Sequence, residues 1–347
     1  MEYRENPMFG RRVFFLNPPL SVENSIIPSL KDEEYEVYII REYSLAKPVL
    51  KANENAICFI FIDDELSLDA WFNFIKSFEN DESLKSIFLG VISIKTKPKD
   101  QERFLMELKL PGGFVMLDKK MENVTQTLEG ILKINGAKGV RKCIRLDLKD
   151  TKDVNGYFTN GSALYSLKLV DISALGFATV VPAKMAPLFQ KGKVITNLSI
   201  TMKRFSFVCS IVVLNASVKG DSCVVVMMFP SDTSMQIKRK IHDFVFETLE
   251  LRYRIFLEGL NRDMTDYNIR IRADGEAAAD DETVTDAEAV EDVQEITESE
   301  EVQAESEVKT EPVEEKPEEG KADSAPEVQT ADSDKKDEPE AAKQNEV

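Results

Sequence analysis

Along residues 11–136, short apolar runs alternate with stretches whose apolar residues recur every three or four positions. The runs are RRVFFLN (11–17), YEVYII (35–40), AICFIFID (56–63), SIFLGVIS (86–93) and GGFVML (112–117). They are apolar at nearly every position, which predicts strands covered on both faces, as in a parallel sheet. Helical patterns separate them. In SLDAWFNFIKSF, Trp71, Phe74, Ile75 and Phe78 form a stripe that a helix would bury. Five βα units in about 125 residues predict a doubly wound sheet with right-handed crossovers.

The period changes after NGAKG (135–139). KCIRLDL, ALYSLKLVDIS, GFATVV, VITNLSITM, RFSFVCSIVVLNAS and SCVVVMMF follow at short spacing, several divided by NG, KG or KGD turns. Strands this close, with little helix between them, predict a small antiparallel barrel. A long helix follows over 231–260, with N-cap candidates at Ser231 to Thr233. Its apolar face holds Ile241, Phe244, Val245, Leu249, Phe256 and Leu260, and Gly259 lies near the expected stop. The predicted layout is an α/β domain over 1–136, a barrel with its helix over 137–262, and a linker and tail over 263–347.

Charge divides the chain in the same way. Residues 274–347 hold 28 Asp and Glu against 6 Lys and Arg, a net of −22, so residues 1–273 carry +4 of the chain's −18. The tail is rich in Glu, Asp, Ala, Val, Ser and Pro and lacks aromatics, so it is expected to be disordered. With +4 on the folded part and no helix with a concentrated basic face, nucleic acid is not the expected partner. No apolar run approaches the roughly 20 residues that span a bilayer, and the acid-bearing start MEYRENPMFGRR is unlike a signal peptide. Cys58, Cys143, Cys209 and Cys223 form no CxxC pair, and three lie in apolar runs, as reduced thiols do in a cytoplasmic protein.

At GGFVMLDK (112–119) the first domain resembles the response-regulator receiver family, whose fifth strand commonly leads to a lysine, here Lys119. Asp63 ends the third run, where receivers carry the phospho-accepting aspartate. Receivers also place two acids after the first strand to hold Mg²⁺, and here Asn17 and Pro18 stand in LNPPL. Magnesium needs hard, usually anionic oxygens. The expectation is therefore a pseudo-receiver, a docking or dimerising module, with Asp63 as a candidate phospho-acceptor in the alternative. A third reading makes the FIDDEL acids a solvated strand end at a helix start.

At the domain junction, GVRKCIRLD (139–147) places Arg141 and Arg145 four residues apart, with Lys142 between them. Arg145 precedes Asp171 by 26 residues, and Asp171, Ser173 and Gly176 spell DxSxxG. RxxxR followed by DxSxxG in an all-β context resembles the PilZ family, receptors for cyclic di-GMP. That ligand is a dianion with two flat guanines. Guanidinium grips phosphate or the guanine O6/N7 edge through paired hydrogen bonds and stacks on planes. The resemblance implies that Arg141, Lys142 and Arg145 take phosphate and guanine, while Asp171, Ser173 and Gly176 line the guanine pocket. The family's arginine motif often holds further arginines and a proline, where this chain has Lys-Cys-Ile. Read without the family, the arginines are a solvated linker face, and Asp171 and Ser173 build a turn.

No P-loop, GxGxxG or GxSxG is present, so no enzyme is expected. No metal or redox cofactor is expected, and the lone His242 lies beside core positions of the last helix. Lys238, Arg239 and Lys240 read as a solvated helix start. The leading expectation is a cytoplasmic cyclic di-GMP receptor that binds the dinucleotide at the junction and signals to a protein partner in motility, surface or virulence control. The alternatives are a ligand-free scaffold with a vestigial motif and a response regulator phosphorylated at Asp63. Oligomeric state is left open.

Overall fold

The structure, a computed structural model, describes residues 9–117, 120–151, 154–203 and 205–279, with side chains as far as residue 263. Lys119 and the tail beyond Ala279 lie outside the described residues. The five apolar runs form β1 (Val13–Leu16), β2 (Val37–Ile40), β3 (Ile57–Phe61), β4 (Phe88–Ser93) and β5 (Phe114–Met116), all parallel, in the order β2-β1-β3-β4-β5. This is a doubly wound order whose switch point lies between β1 and β3. A π-helical turn, Val22–Ile26, runs into α1 (Ile27–Asp32). It packs with α5 (Met121–Ile134) on one face of the sheet. Helices α2 (Tyr43–Lys51), α3 (Leu68–Lys76) and α4 (Pro98–Glu107) cover the other face. Both faces are covered, so β1 and β3 are buried at every position. In α3, Trp71 and Ile75 are buried as the helical stripe predicts, with Phe72 beside them and Phe74 at the margin.

The second half of the chain forms β6 (Leu146–Asp147), β7 (Val154–Asn160), β8 (Ala163–Ser173), β9 (Gly176–Pro182), β10 (Val194–Met202), β11 (Phe205–Lys219) and β12 (Ser222–Met228). Strands β8-β7-β10-β11-β12-β9 pair antiparallel in that order. The β8–β9 pairing then closes a six-stranded barrel and leaves no open edge. Two expectations change here. KCIRLDL yields only the two residues of β6, attached to β8. VNGYFTN becomes β7, whose glycine and asparagines hide its period-2 burial of Val154, Gly156 and Phe158. Cys58 and Cys223 are buried, whereas Cys143 and Cys209 are only partly so; all four are free.

Helix α6 (Met235–Ala279) does not stop at Gly259. Its 45 residues are about 68 Å long at 1.5 Å each. Its first half packs Ile237, Ile241, Phe244, Val245 and Leu249 into the barrel core. Its middle carries Tyr253, Phe256, Leu257 and Leu260 onto the α2–α3–α4 side of the α/β core. Tyr253 lies 4.6 Å from Tyr38 and 6.0 Å from Phe14, ring to ring. Polar contacts follow the same seam: Arg239 pairs with Asp32 at 2.7 Å, and Lys31 pairs with Glu250. His242 sits 3.1 Å from the Lys31 carbonyl, and its ring lies 4.5 Å from that of Phe246 at a tilt of 39°, a structural role beside the core. Lys238 and Lys240 are likewise engaged, on the Ser231 carbonyl and over the Phe205 ring.

The Tyr253 hydroxyl is buried with no partner among the described residues. Tyr253→Phe is therefore expected to be neutral or to stabilise by up to about 1 kcal/mol. Tyr253→Ala should cost about 2–4 kcal/mol through lost packing on Tyr38 and Phe14. Midpoints of chemical denaturation for the two variants check both signs.

Candidate functional site

The short strand β6 brings the two motifs together. Leu146 pairs with Ile172 and Asp147 with Asp171. Along this segment Ile144 and Leu146 turn into the barrel core, so strand alternation sends Arg145 outward, onto the face that carries Asp171. There Arg145 Nη1 lies 3.4 Å from Asp171 Oδ2, with both side chains about a quarter to a third exposed. A bulge between Leu169 and Asp171 shifts the register of β8 on β9. Asp171 Oδ1 accepts a bond from the Ala178 amide at 3.0 Å, so the carboxylate is held from behind while its other oxygen faces the arginine.

Ser173 and Gly176 flank the hairpin between β8 and β9 and pair with each other. The Ser173 hydroxyl is buried and donates to the Gly176 carbonyl at 3.1 Å. Gly176 meets a packing demand: a Cβ there would stand 2.1 Å from the Met227 carbonyl oxygen of β12. These two residues fix the hairpin that presents Asp171; neither opens as a free polar group.

Arg141 lies at the other end of the loop. Its guanidinium covers the Phe9 ring at 4.4 Å. Burial, then the charge of Arg145, push its pKa down, while Asp171 pushes it up. Arg141, Arg145 and Asp171 are thus close enough to feel one another's charge. Gly10 lets Phe9 come this near, because a Cβ at Gly10 would strike the Ala137 carbonyl at 1.9 Å. Arg141, Lys142 and Arg145 line one cleft together with Phe9, Glu34 and Glu36. The sequence contained no signal for the last three; they come from the α/β domain, far along the chain. Glu34 Oε2 accepts the Ile144 amide at 2.8 Å, and Glu36 is engaged by Arg12 at 2.8 Å and by the Tyr38 hydroxyl at 2.7 Å. Burial, helped by the charge and hydrogen bond of Glu34, pushes the Cys143 thiol up to about 12.

Asp63 lies apart from this site, past the end of β3. Its Oδ1 accepts the Ser93 hydroxyl at 2.6 Å, and its Oδ2 accepts the Ile94 and Lys95 amides at 2.5 and 3.2 Å. Ser93 also bonds Thr96 at 2.6 Å. The two oxygens of Asp63 thus tie the end of β3 to the end of β4 and to the loop after it. Among the described residues, no group of three or more His, Cys, Asp or Glu is arranged to hold a metal ion.

No family model matches the chain, and no curated protein matches it. Solved structures similar to it include the PilZ domain with c-di-GMP of YcgR from Escherichia coli, at 16% identity, covering 34% of this chain and 98% of that one, with a TM-score of 0.28. The K. pneumonia MrkH–c-di-GMP complex is similar at 16% identity, covering 32% of this chain and 53% of that one, TM-score 0.29. The Borreliella burgdorferi PlzA protein in complex with c-di-GMP is similar at 15% identity, covering 37% and 50%, TM-score 0.25. The matched part thus spans about half the length of MrkH and of PlzA.

Gly176→Ala is expected to cost at least about 2 kcal/mol, because the new methyl group meets backbone that has no room to yield. Asp63→Ala should cost about 1–3 kcal/mol by stripping three donors of one charged acceptor. Thermal unfolding measures both. Only the Gly176 variant should also disturb the amide resonances around Asp171.

Proposed function

We propose that the chain is a receptor for cyclic di-GMP and that the arginine loop and the β8–β9 hairpin form its binding site. The observation that carries the reading is the Arg145–Asp171 pair at 3.4 Å, which unites the RxxxR and DxSxxG motifs on one outer face of a closed barrel. In this reading Arg145 is already positioned by β6, and Arg141 swings from Phe9 onto a phosphate or a guanine edge. Guanidinium suits both targets, since it stays charged and offers parallel donors. Asp171, held by Ala178, accepts from guanine N1–H and N2–H₂. Lys142 adds charge at the mouth, while Ser173 and Gly176 keep the hairpin in shape.

The site lies at the junction of an α/β domain, residues 1–136, and a barrel domain with its helix, residues 137–262. Ligand binding acts by population shift: the loop posture that makes more contacts with the dinucleotide gains occupancy. The output passes to a protein partner, within motility, surface or virulence control. The chain works in the cytoplasm and catalyses nothing. No helix among the described residues is long and apolar enough to cross a membrane, and with +4 over residues 1–273 nucleic acid is not the partner. The α/β domain serves as a receiver-like docking body, not a phosphorylation switch. That view is favoured by the three hydrogen bonds that occupy Asp63 and by Asn17 and Pro18 where a receiver needs acids.

Calorimetric titration of the full chain with cyclic di-GMP tests the reading. Saturable binding is expected, and Arg141→Ala and Arg145→Ala should each lose about 1.5–3 kcal/mol, or roughly 10–150-fold in affinity. A folded parent chain with no saturable binding would overturn the receptor.

A further inference from the structure

The arginine loop is not held by the barrel alone. Glu34 occupies the turn between α1 and β2, at φ +63°, a left-handed backbone that side chains other than glycine seldom adopt. The turn is closed by Glu34 N–H on the Lys31 carbonyl at 2.9 Å and Tyr35 N–H on the Leu30 carbonyl at 3.0 Å. From it the Glu34 carboxylate reaches across the domain junction and takes the Ile144 amide at 2.8 Å. The Cys143 thiol lies near the same carboxylate, whose charge helps to raise its pKa. Glu34 lines the same cleft as Arg141, Lys142 and Arg145. A carboxylate of the α/β domain therefore sits on a backbone donor of the loop, inside the space where the loop's cations converge.

We propose that Glu34 is a built-in anion that clamps the arginine loop in its unliganded posture and must leave the Ile144 amide when a phosphate anion enters. This deepens the receptor reading and, for its choice of ligand, rests on it. The physical reason is competition. A phosphate oxygen and the Glu34 carboxylate both seek the same amide and the same cations, and two negative groups in one cleft repel each other. The clamp also has an exit route. The adjoining residues of its turn hold α6: the Lys31 carbonyl faces His242 at 3.1 Å, and Asp32 pairs with Arg239 at 2.7 Å. Expelling Glu34 disturbs the turn on which the start of α6 rests, so occupancy of the loop is passed to the helix shared by both cores.

Two measurements test this. In the first, cyclic di-GMP is titrated into the parent and Glu34→Gln, which keeps an acceptor for Ile144 and removes the charge. The variant should bind about 3–10-fold more tightly at low salt, with the gap narrowing as salt rises. In the second, trypsin cleavage after Arg141, Lys142 and Arg145 is followed without ligand in the parent and in Glu34→Asn. Asparagine suits the left-handed turn but is one methylene too short to reach Ile144, so cleavage there should quicken at temperatures well below the melting transition, where global unfolding does not contribute. Equal or weaker binding by the glutamine variant, with a parent that binds, would sink the competition while leaving the receptor intact. If neither protein binds the dinucleotide, the receptor reading fails, and the trypsin rates decide the clamp alone: unchanged cleavage in Glu34→Asn overturns it.

Discussion

Helix α6 belongs to two hydrophobic cores at once, and the placing of the candidate site follows from that. Ile241, Phe244 and Val245 complete the inside of the barrel, and Tyr253, Phe256 and Leu257 complete one face of the α/β core. Neither contact can be lost without exposing apolar side chains. The described residues, from Phe9 to Ala279, accordingly group as one compact unit. The segment between the two bodies, residues 137–145, is thus strung between fixed ends. A ligand acting there cannot swing the domains freely. It can shift them only by as much as its contacts differ between two postures, set against the packing of Tyr253 on Tyr38 and Phe14.

Fixed ends give the two arginines different jobs. Arg145 adjoins β6, whose backbone is tied to β8, and α6 strengthens the tie: Arg252 donates to the Asp147 carbonyl at 2.7 Å and to the Thr151 hydroxyl at 3.1 Å. Arg145 is therefore oriented before anything binds. Arg141 has no strand beneath it and rests on Phe9, a contact of the kind worth about 0.5–1 kcal/mol at an exposed site, so it can leave at little cost. One cation is preorganised and the other is held on a weak spring. A site that must both recognise and respond needs that combination.

Which parts of this were legible in the sequence follows from the range of each signal. The strands of the α/β sheet were readable because burial on both faces makes every position apolar, as in ICFIF. β7 was not readable, because in a small barrel a strand can bury a glycine and leave asparagines outside. The length of α6 was hidden by Gly259, and its apolar residues from Tyr253 to Leu260 serve a different core from those at Ile237 to Leu249. The two motifs were visible because their residues lie within a few positions of one another. Their meeting was foretold only by resemblance, since nothing local to RKCIR says that β6 will pair with β8. Glu34 was invisible: its bond to Ile144 spans 110 positions, and nothing in the residues around it points there.

The sheet's polarity separates what this α/β domain does from what its shape would suggest. Ligands of open α/β sheets sit outside the carboxyl ends of the strands. At that end Asp63 is spent on Ser93, Ile94 and Lys95. Glu34 precedes β2, and Lys31 to Glu34 end the first helix, so they lie at the amino ends of the strands, across the sheet from Asp63. The residues that reach the arginine loop and the start of α6 all come from this opposite edge: Glu34 to Ile144, Glu33 to Lys138 at 3.3 Å, Asp32 to Arg239. A signal starting at Asp63 would have to cross a sheet whose strands are packed on both faces. A signal starting at the loop meets the α1–β2 turn directly. The coupling that this architecture favours links the arginine loop with the α1–β2 turn and the start of α6, and it is reciprocal between them.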